Sequence, residues 1–311
     1  MRKPRLIISK CLNSEKCRYN GQIYDDKVIS LLRKYVDLET VCPEREIGLE
    51  VPRNPIRIEK HDDKYKLIEP SSNMDYTSQM TEFAEEFLNN IEDVDGFVLK
   101  SRSPSCGIKD VKIYPKSQKC SISKKGQGVF GAKVVEKYSN IPIEDEGRLK
   151  NYNIRDEFLT KIFTINNLKC ENSILDFHKK NSLLLKSYNE DIYDELNSIV
   201  SKENVDEDDI NLYKNKVYEI LNNKRDKITK IRLIKDCFRK YEAYLNEEER
   251  DYFDDLLKLY EKEKMPFSSI MVALQICAIR FDDKDLSNQT FFNPYPIELI
   301  SITDSGKGRN L

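Results

Sequence analysis

The sequence predicts an α/β N-terminal domain, with a small, mainly parallel sheet and flanking helices, followed by an all-α C-terminal domain. Three observations lead there. Short apolar runs alternate with helix-period segments up to about residue 147, as in parallel strands joined by crossover helices. From about residue 152 onward, apolar residues recur at helical spacing alone. Three cysteines, Cys11, Cys42 and Cys106, stand just beyond predicted strands. That is where open α/β sheets bind ligands.

The elements follow in order. Leu6-Ile7-Ile8 marks a strand over 5–9, and Val28, Leu31, Leu32 and Tyr35 mark a helix near 25–35. A strand runs through 37–41. Pro52 and Pro55 then impose a loop. Alternation in 56–58 and 65–68 fits a hairpin. Met80, Phe83, Ala84, Phe87 and Leu88 place a helix near 76–90. Strands at 96–100 and 111–114 and a helix near 128–138 complete the first domain, set at 1–147. The second domain is set at 148–311. Its helical pattern includes Phe158, Ile162 and Ile165, then Leu183, Leu184, Tyr188 and Ile192. Its longest run uses Ile228, Ile231, Ile234, Phe238, Tyr241 and Leu245. After Met265-Pro266 it resumes with Ile270, Leu274, Cys277 and Ile279.

Composition narrows the function. The net charge of −2 does not mark a nucleic-acid binder, so any such site must be a local patch. No apolar stretch is long enough for a signal sequence or a membrane span, and a cytoplasmic location is expected. In a reducing compartment the eight cysteines point to metal or catalysis before disulfides. Cys170, Cys237 and Cys277 fall in helical segments and read as small core residues. Cys120 reads as a loop thiol.

Three readings of Cys11, Cys42 and Cys106 stay open on the residues alone. Zinc favours four tetrahedral ligands, often in C-x-x-C pairs, whereas these spacings are long and the chain has only two histidines, His61 and His178. Thiolates also suit an iron–sulfur cluster, where three protein ligands leave one iron open. The third reading is three unrelated buried thiols. The surroundings favour a site. Cys42 belongs to Val41-Cys42-Pro43-Glu44, which sets a carboxylate beside it. Cys106 closes Ser101-Arg102-Ser103-Pro104-Ser105-Cys106-Gly107, a hydroxyl-rich loop. Thiolates, hydroxyls and a carboxylate at one edge can do acid–base chemistry.

These segments, with Ser9-Lys10-Cys11-Leu12, Arg18-Tyr19-Asn20-Gly21, Gly48-Leu49-Glu50-Val51-Pro52-Arg53 and Gly126-Gln127-Gly128-Val129-Phe130, resemble the thiouracil desulfidase (TudS) family over residues 1–147. The second half is similar to the YbgA-like helical domain through Asp176-Phe177-His178-Lys179-Lys180 and the segment 288–296. The fused arrangement resembles the tRNA 4-thiouridine desulfidases. The resemblance implies a 4Fe-4S cluster on Cys11, Cys42 and Cys106, whose open iron takes the sulfur of a thiocarbonyl. It also implies Glu44 as general base toward water, with release of hydrogen sulfide. Ser103, with Ser101 as second choice, would position the ring or relay a proton. Arg18, Tyr19 and Arg53 are expected at the substrate. Cys17 lies outside the family pattern and receives no role.

The implied substrate is a small thiolated pyrimidine, and the fused domain makes tRNA the expected partner. The segment 224–235 reads as a basic amphipathic helix, with Lys224, Arg225, Lys227 and Lys230 facing phosphates and Lys179, Lys180 and Lys186 adding to that surface. A solvated helix face is the alternative, and the acidic runs 206–209 and 247–249 argue against a uniformly basic domain. Free 4-thiouracil or a thiouridine nucleotide is the competing substrate. A cluster-based sulfur carrier for thiolation and a zinc-bound RNA-binding module are the competing functions. His178 is expected to serve packing or RNA contact, and His61 is given no role.

Overall fold

The computed structural model describes residues 2–116 and 118–300. It divides into two compact units. One runs to Asn166 and is joined by the segment from Pro296; the other is Asn167–Tyr295.

The first unit opens with β1 (Arg5–Ser9), whose Leu6, Ile7 and Ile8 are fully buried. A continuous apolar run suits a central strand covered on both faces. α1 (Lys27–Leu32) is shorter than the periodicity predicts. Asp26 caps it by accepting from the Val28 and Ile29 N–H groups, which fixes its start. β2 (Asp37–Val41) leads into the single turn α2 (Pro43–Glu46), which begins with Pro at its first position. The expected hairpin is β3 (Arg57–His61) and β4 (Lys64–Glu69), followed by β5 (Met74–Asp75). Then come α3 (Thr77–Asn89), β6 (Gly96–Leu99), β7 (Val111–Pro115), β8 (Ser123–Gly126), α4 (Val129–Lys137) and β9 (Ile143–Asp145).

These strands build two sheets. The first has the order β2-β1-β6-β9, and every pair in it is parallel. The second has the order β5-β4-β3-β7-β8 and is mostly antiparallel, with β3 and β7 parallel. The strand read at 111–114 therefore belongs to a separate sheet. The first sheet delivers the chain after β1, β2, β6 and β9 to one edge, because parallel strands share their polarity.

α4 braces that edge. The Val129 N–H donates to the Pro104 carbonyl at 3.1 Å, and the Gly131 N–H donates to the Ser105 carbonyl at 2.9 Å. The approach is so close that a Cβ on Gly128 would lie 2.4 Å from the Ser105 oxygen. One on Gly131 would lie 2.6 Å from the Cys106 oxygen. Glycine is required here by contact with backbone that cannot yield.

α5 (Tyr152–Cys170) carries the boundary between the units, and its Ile162 packs close to Gly96 of β6. The second unit continues with α6 (Ile174–Lys186), α7 (Glu190–Val200), α8 (Glu207–Leu221), α9 (Lys227–Arg239), α10 (Glu247–Glu261), α11 (Phe267–Arg280) and α12 (Lys284–Ser287). Ser173, Asn189, Asp206, Asp226, Asn246 and Asp283 cap six of them with side-chain oxygens. Phe238 and Phe253 stack between α9 and α10 at 3.6 Å. The motif at 288–296 is tied to α6: the Gln289 amide donates to the Lys179 carbonyl, and the Thr290 hydroxyl donates to Asn181 at 2.6 Å.

Several sequence assignments need correction. Ile228 is 79% exposed and Ile279 68% exposed, so neither joins the core. Cys170 ends α5 in an exposed position, and Cys277 is only half-buried. Cys237 is buried. His178 is buried, with Nδ1 3.1 Å from the Tyr213 hydroxyl and its ring stacked on Tyr193. Burial pushes its pKa down. The last residues of the expected second domain, 301–311, lie outside the described residues.

Gly131→Ala is expected to lower stability by about 1–3 kcal/mol, the usual cost of overpacking. Urea denaturation of the variant beside wild type measures it.

Candidate active site

Each strand of the parallel sheet, or the loop directly after it, lines one cavity of about 1060 Å³. After β1 the chain turns sharply, with the Leu12 N–H donating to the Ser9 carbonyl at 2.9 Å, and Cys11 lines the wall. β2 ends at Val41, so Cys42 follows at once and α2 begins behind it. β6 ends at Leu99 and releases the 100–107 loop with Ser101, Ser103 and Cys106. β9 ends in Asp145, with Glu146 beyond it.

The three expected cysteines thus line one cavity, and Cys17 lines it with them. Cys17 is 1% exposed, and its thiol neighbours those of Cys11 and Cys42. The contact with Cys11 and burial push the Cys17 thiol up to about 11. The contact with Cys17 and burial raise Cys42, and burial above all raises Cys106. Among the described residues, no three His, Cys, Asp or Glu side chains converge on a single metal-ion position.

Glu44 is held from two sides. Arg53 donates to its Oε2 through Nε at 2.8 Å and also through Nη2, and the Ser105 hydroxyl donates to its Oε1. Arg53 donates further to the Cys17 carbonyl at 3.1 Å, and its N–H donates to the Tyr19 carbonyl at 2.8 Å. Arg53 therefore orders the Glu44 carboxylate and two loops around it. Ser103 Oγ accepts from the Ser105 and Cys106 N–H groups, at 3.2 and 3.1 Å, and so shapes the turn that presents Cys106. It also lies 3.4 Å from Ser105 Oγ, which completes a hydroxyl chain to Glu44. Ser101 faces another carboxylate: its N–H and hydroxyl both donate to Glu146, at 2.7 and 2.6 Å. Lys100 pairs with the same carboxylate and lies 4.7 Å from the centre of the Tyr24 ring.

Arg18 lines the cavity at a turn closed by the Gly21 N–H on the Arg18 carbonyl, where Gly21 takes φ +70°. Tyr19 is 44% exposed at the mouth. Arg102, Lys109 and Lys150 add positive charge to the lining. Burial and the neighbouring Arg148 hold the Lys109 pKa below its usual range.

The expected RNA-contacting cations lie in the other unit. Lys224 and Arg225 precede α9, because Asp226 is its N-cap, so they are not part of a helix. Arg225 stacks on Tyr188, and Lys230 lies 5.1 Å from the Phe267 ring centre. Lys227 donates to the Glu261 carbonyl at 2.7 Å and lies over Tyr260. Lys180 pairs with Glu171, and Lys186 lies over Tyr193.

Ser105, Glu146, Lys100 and Cys17 were absent from the sequence-based site. Ser105 and Lys100 sit in the loop already singled out. Asp145 ends, and Glu146 follows, a strand too short to leave a period, so only the acidic pair itself signals it.

A parallel sheet whose carboxyl edge gathers thiols, hydroxyls and a braced carboxylate defines an α/β domain built to hold a ligand at that edge. Residues 6–146 match the family model described as 2-thiouracil desulfurase, and residues 182–296 match that described as a protein of unknown function, DUF1722. The chain therefore matches a 2-thiouracil desulfurase model in its first half and a DUF1722 model, the YbgA-like type, in its second. A solved structure described as a 4Fe-4S-dependent thiouracil desulfidase TudS is similar to the chain at 24% identity, over 47% of this chain and 93% of that one, with a TM-score of 0.38. No curated protein matches the chain. Among the described residues, no helix is long and apolar enough to cross a membrane.

Asp145 gives the site a pH signature. Burial pushes its carboxyl up from 3.8 to about 6. The folded chain then holds that proton more tightly than the unfolded chain. Stability should fall as pH rises from about 4 to about 6 and stay lower above that range. Asp145→Asn should remove the slope, changing the stability difference from wild type by roughly 3 kcal/mol across the window. Denaturation at a series of pH values tests this.

Proposed function

We propose that the N-terminal domain is an iron–sulfur-dependent, non-redox desulfidase acting on a thiolated pyrimidine, and that its substrate is 4-thiouridine in tRNA. One observation carries the reading: Cys11, Cys42 and Cys106 share a cavity with the Glu44–Arg53–Ser105 assembly, inside a domain matching the 2-thiouracil desulfurase model. The donor set fits an iron–sulfur group. Thiols are the ligands such clusters take, and these come from three separate loops lining one cavity.

Cys11, Cys42 and Cys106 hold the cluster as thiolates. When bound, the cluster supplies a Lewis-acid iron position for the sulfur of a thiocarbonyl. Glu44 accepts the proton of the attacking water, and Arg53 and Ser105 keep its carboxylate aimed. Ser103 relays a proton toward Ser105 and Glu44, while Ser101 and Arg18 orient the ring. Tyr19 closes the mouth. In the net reaction, the carbon–sulfur double bond is replaced by a carbon–oxygen double bond. Water supplies the oxygen, its two hydrogens leave with sulfur as hydrogen sulfide, and no electrons are exchanged.

The cations Arg18, Arg102, Lys109 and Lys150 around the cavity support a phosphate-bearing substrate. The helical unit contributes an RNA-holding surface through Lys224, Arg225, Lys227 and Lys230. The base leaves its stack to enter the cavity.

Anaerobically reconstituted protein, incubated with thiolated tRNA and separately with free 4-thiouracil, should release sulfide and lose the thiocarbonyl absorbance. Cys106→Ala serves as the blank. Release from tRNA, lowered at least about tenfold by Lys227→Glu with Lys230→Glu, supports the full reading. Release from the free base alone, or equal rates in the double variant, overturns the tRNA assignment. No release from either overturns the desulfidase.

A further inference from the structure

We propose that Cys17 is a fourth sulfur donor at this centre, able to take iron in place of Cys42 or Cys11. The inference rests on the cluster reading above. Cys17 lines the same cavity as the three expected ligands and is 1% exposed, so its sulfur points into the protein at the site. Its thiol neighbours those of Cys11 and Cys42 at the cavity wall. Cys17 thus stands in the same thiol wall as the two ligands it would replace.

The backbone fixes it there. The Cys17 carbonyl accepts from Arg53 Nη2 at 3.1 Å and lies 4.0 Å from Cys42 Sγ. The Cys17 N–H donates to the Glu15 carbonyl at 2.9 Å. These contacts fix the backbone and leave side-chain rotation as the motion available. The exchange is balanced: Cys17 releases its thiol proton to solvent as it binds iron, and the displaced cysteine takes one up. Neither sulfur changes oxidation state. If either neighbour is lost, three thiols still line the cavity.

Iron and acid-labile sulfide bound per chain give a readout independent of turnover. Full-length wild type, Cys42→Ala, and Cys42→Ala with Cys17→Ala are reconstituted anaerobically, desalted and analysed. Cys42→Ala should keep about half or more of the wild-type iron, and the double variant less than about a tenth. Equal loss in the single and double variants, with melting profiles like wild type, overturns the role of Cys17. If Cys42→Ala does not fold, the same comparison on Cys11→Ala, with and without Cys17→Ala, decides by the same criterion. Failure of wild type to bind iron overturns the cluster reading and this inference together. A filled wild type with equally empty variants overturns this inference alone.

Discussion

In a parallel sheet every strand ends on the same edge. β1 pairs with β2 on one side and with β6 on the other, and β6 pairs with β9. Cys11, Cys42, the Ser101–Cys106 loop and the Asp145-Glu146 pair all follow from that polarity. None of them is near another in sequence. Reversing one strand would send its loop to the opposite edge, so the parallel pairing of β1, β2 and β6 underlies the whole cavity. Full burial of Leu6, Ile7 and Ile8 secures it, at roughly 1.5–3 kcal/mol for each side chain.

Delivery to an edge is not yet order. The loop after β6 owes its shape to Ser103, which accepts from two N–H groups, and to α4, whose glycines let backbone meet backbone. Glu44 owes its direction to Arg53, which spans the carboxylate, the Cys17 carbonyl and the Tyr19 carbonyl. The same arginine thus couples the acid–base group to the thiol wall. Glu146 performs a similar service on the opposite side, gathering Ser101 and Lys100.

The parts legible in the sequence are those with a long or chemically distinct signal. The strands at 5–9 and 96–99 carry the apolar runs Leu6-Ile7-Ile8 and Phe97-Val98-Leu99, and the cysteines after them and after 37–41 stand out. The second sheet was only half legible, because β5 and β8 have two and four residues and no useful period. Cys17 lies outside the family pattern and so receives no role from the sequence, and its place at the cavity depends on how the loop after β1 folds back. The basic run at 224–235 is only partly helical for a local reason: Asp226 caps α9 inside it, leaving Lys224 and Arg225 before the helix and Ile228 exposed. Aromatic rings and carbonyls then engage Arg225, Lys227 and Lys230, contacts no linear pattern reveals.

The central claim is that the thiols at this edge hold an iron–sulfur cluster. Metal and acid-labile sulfide analysis of the protein purified without air tests it most directly. The account predicts about four irons and four sulfides per chain and no stoichiometric zinc. Stoichiometric zinc without labile sulfide would contradict it.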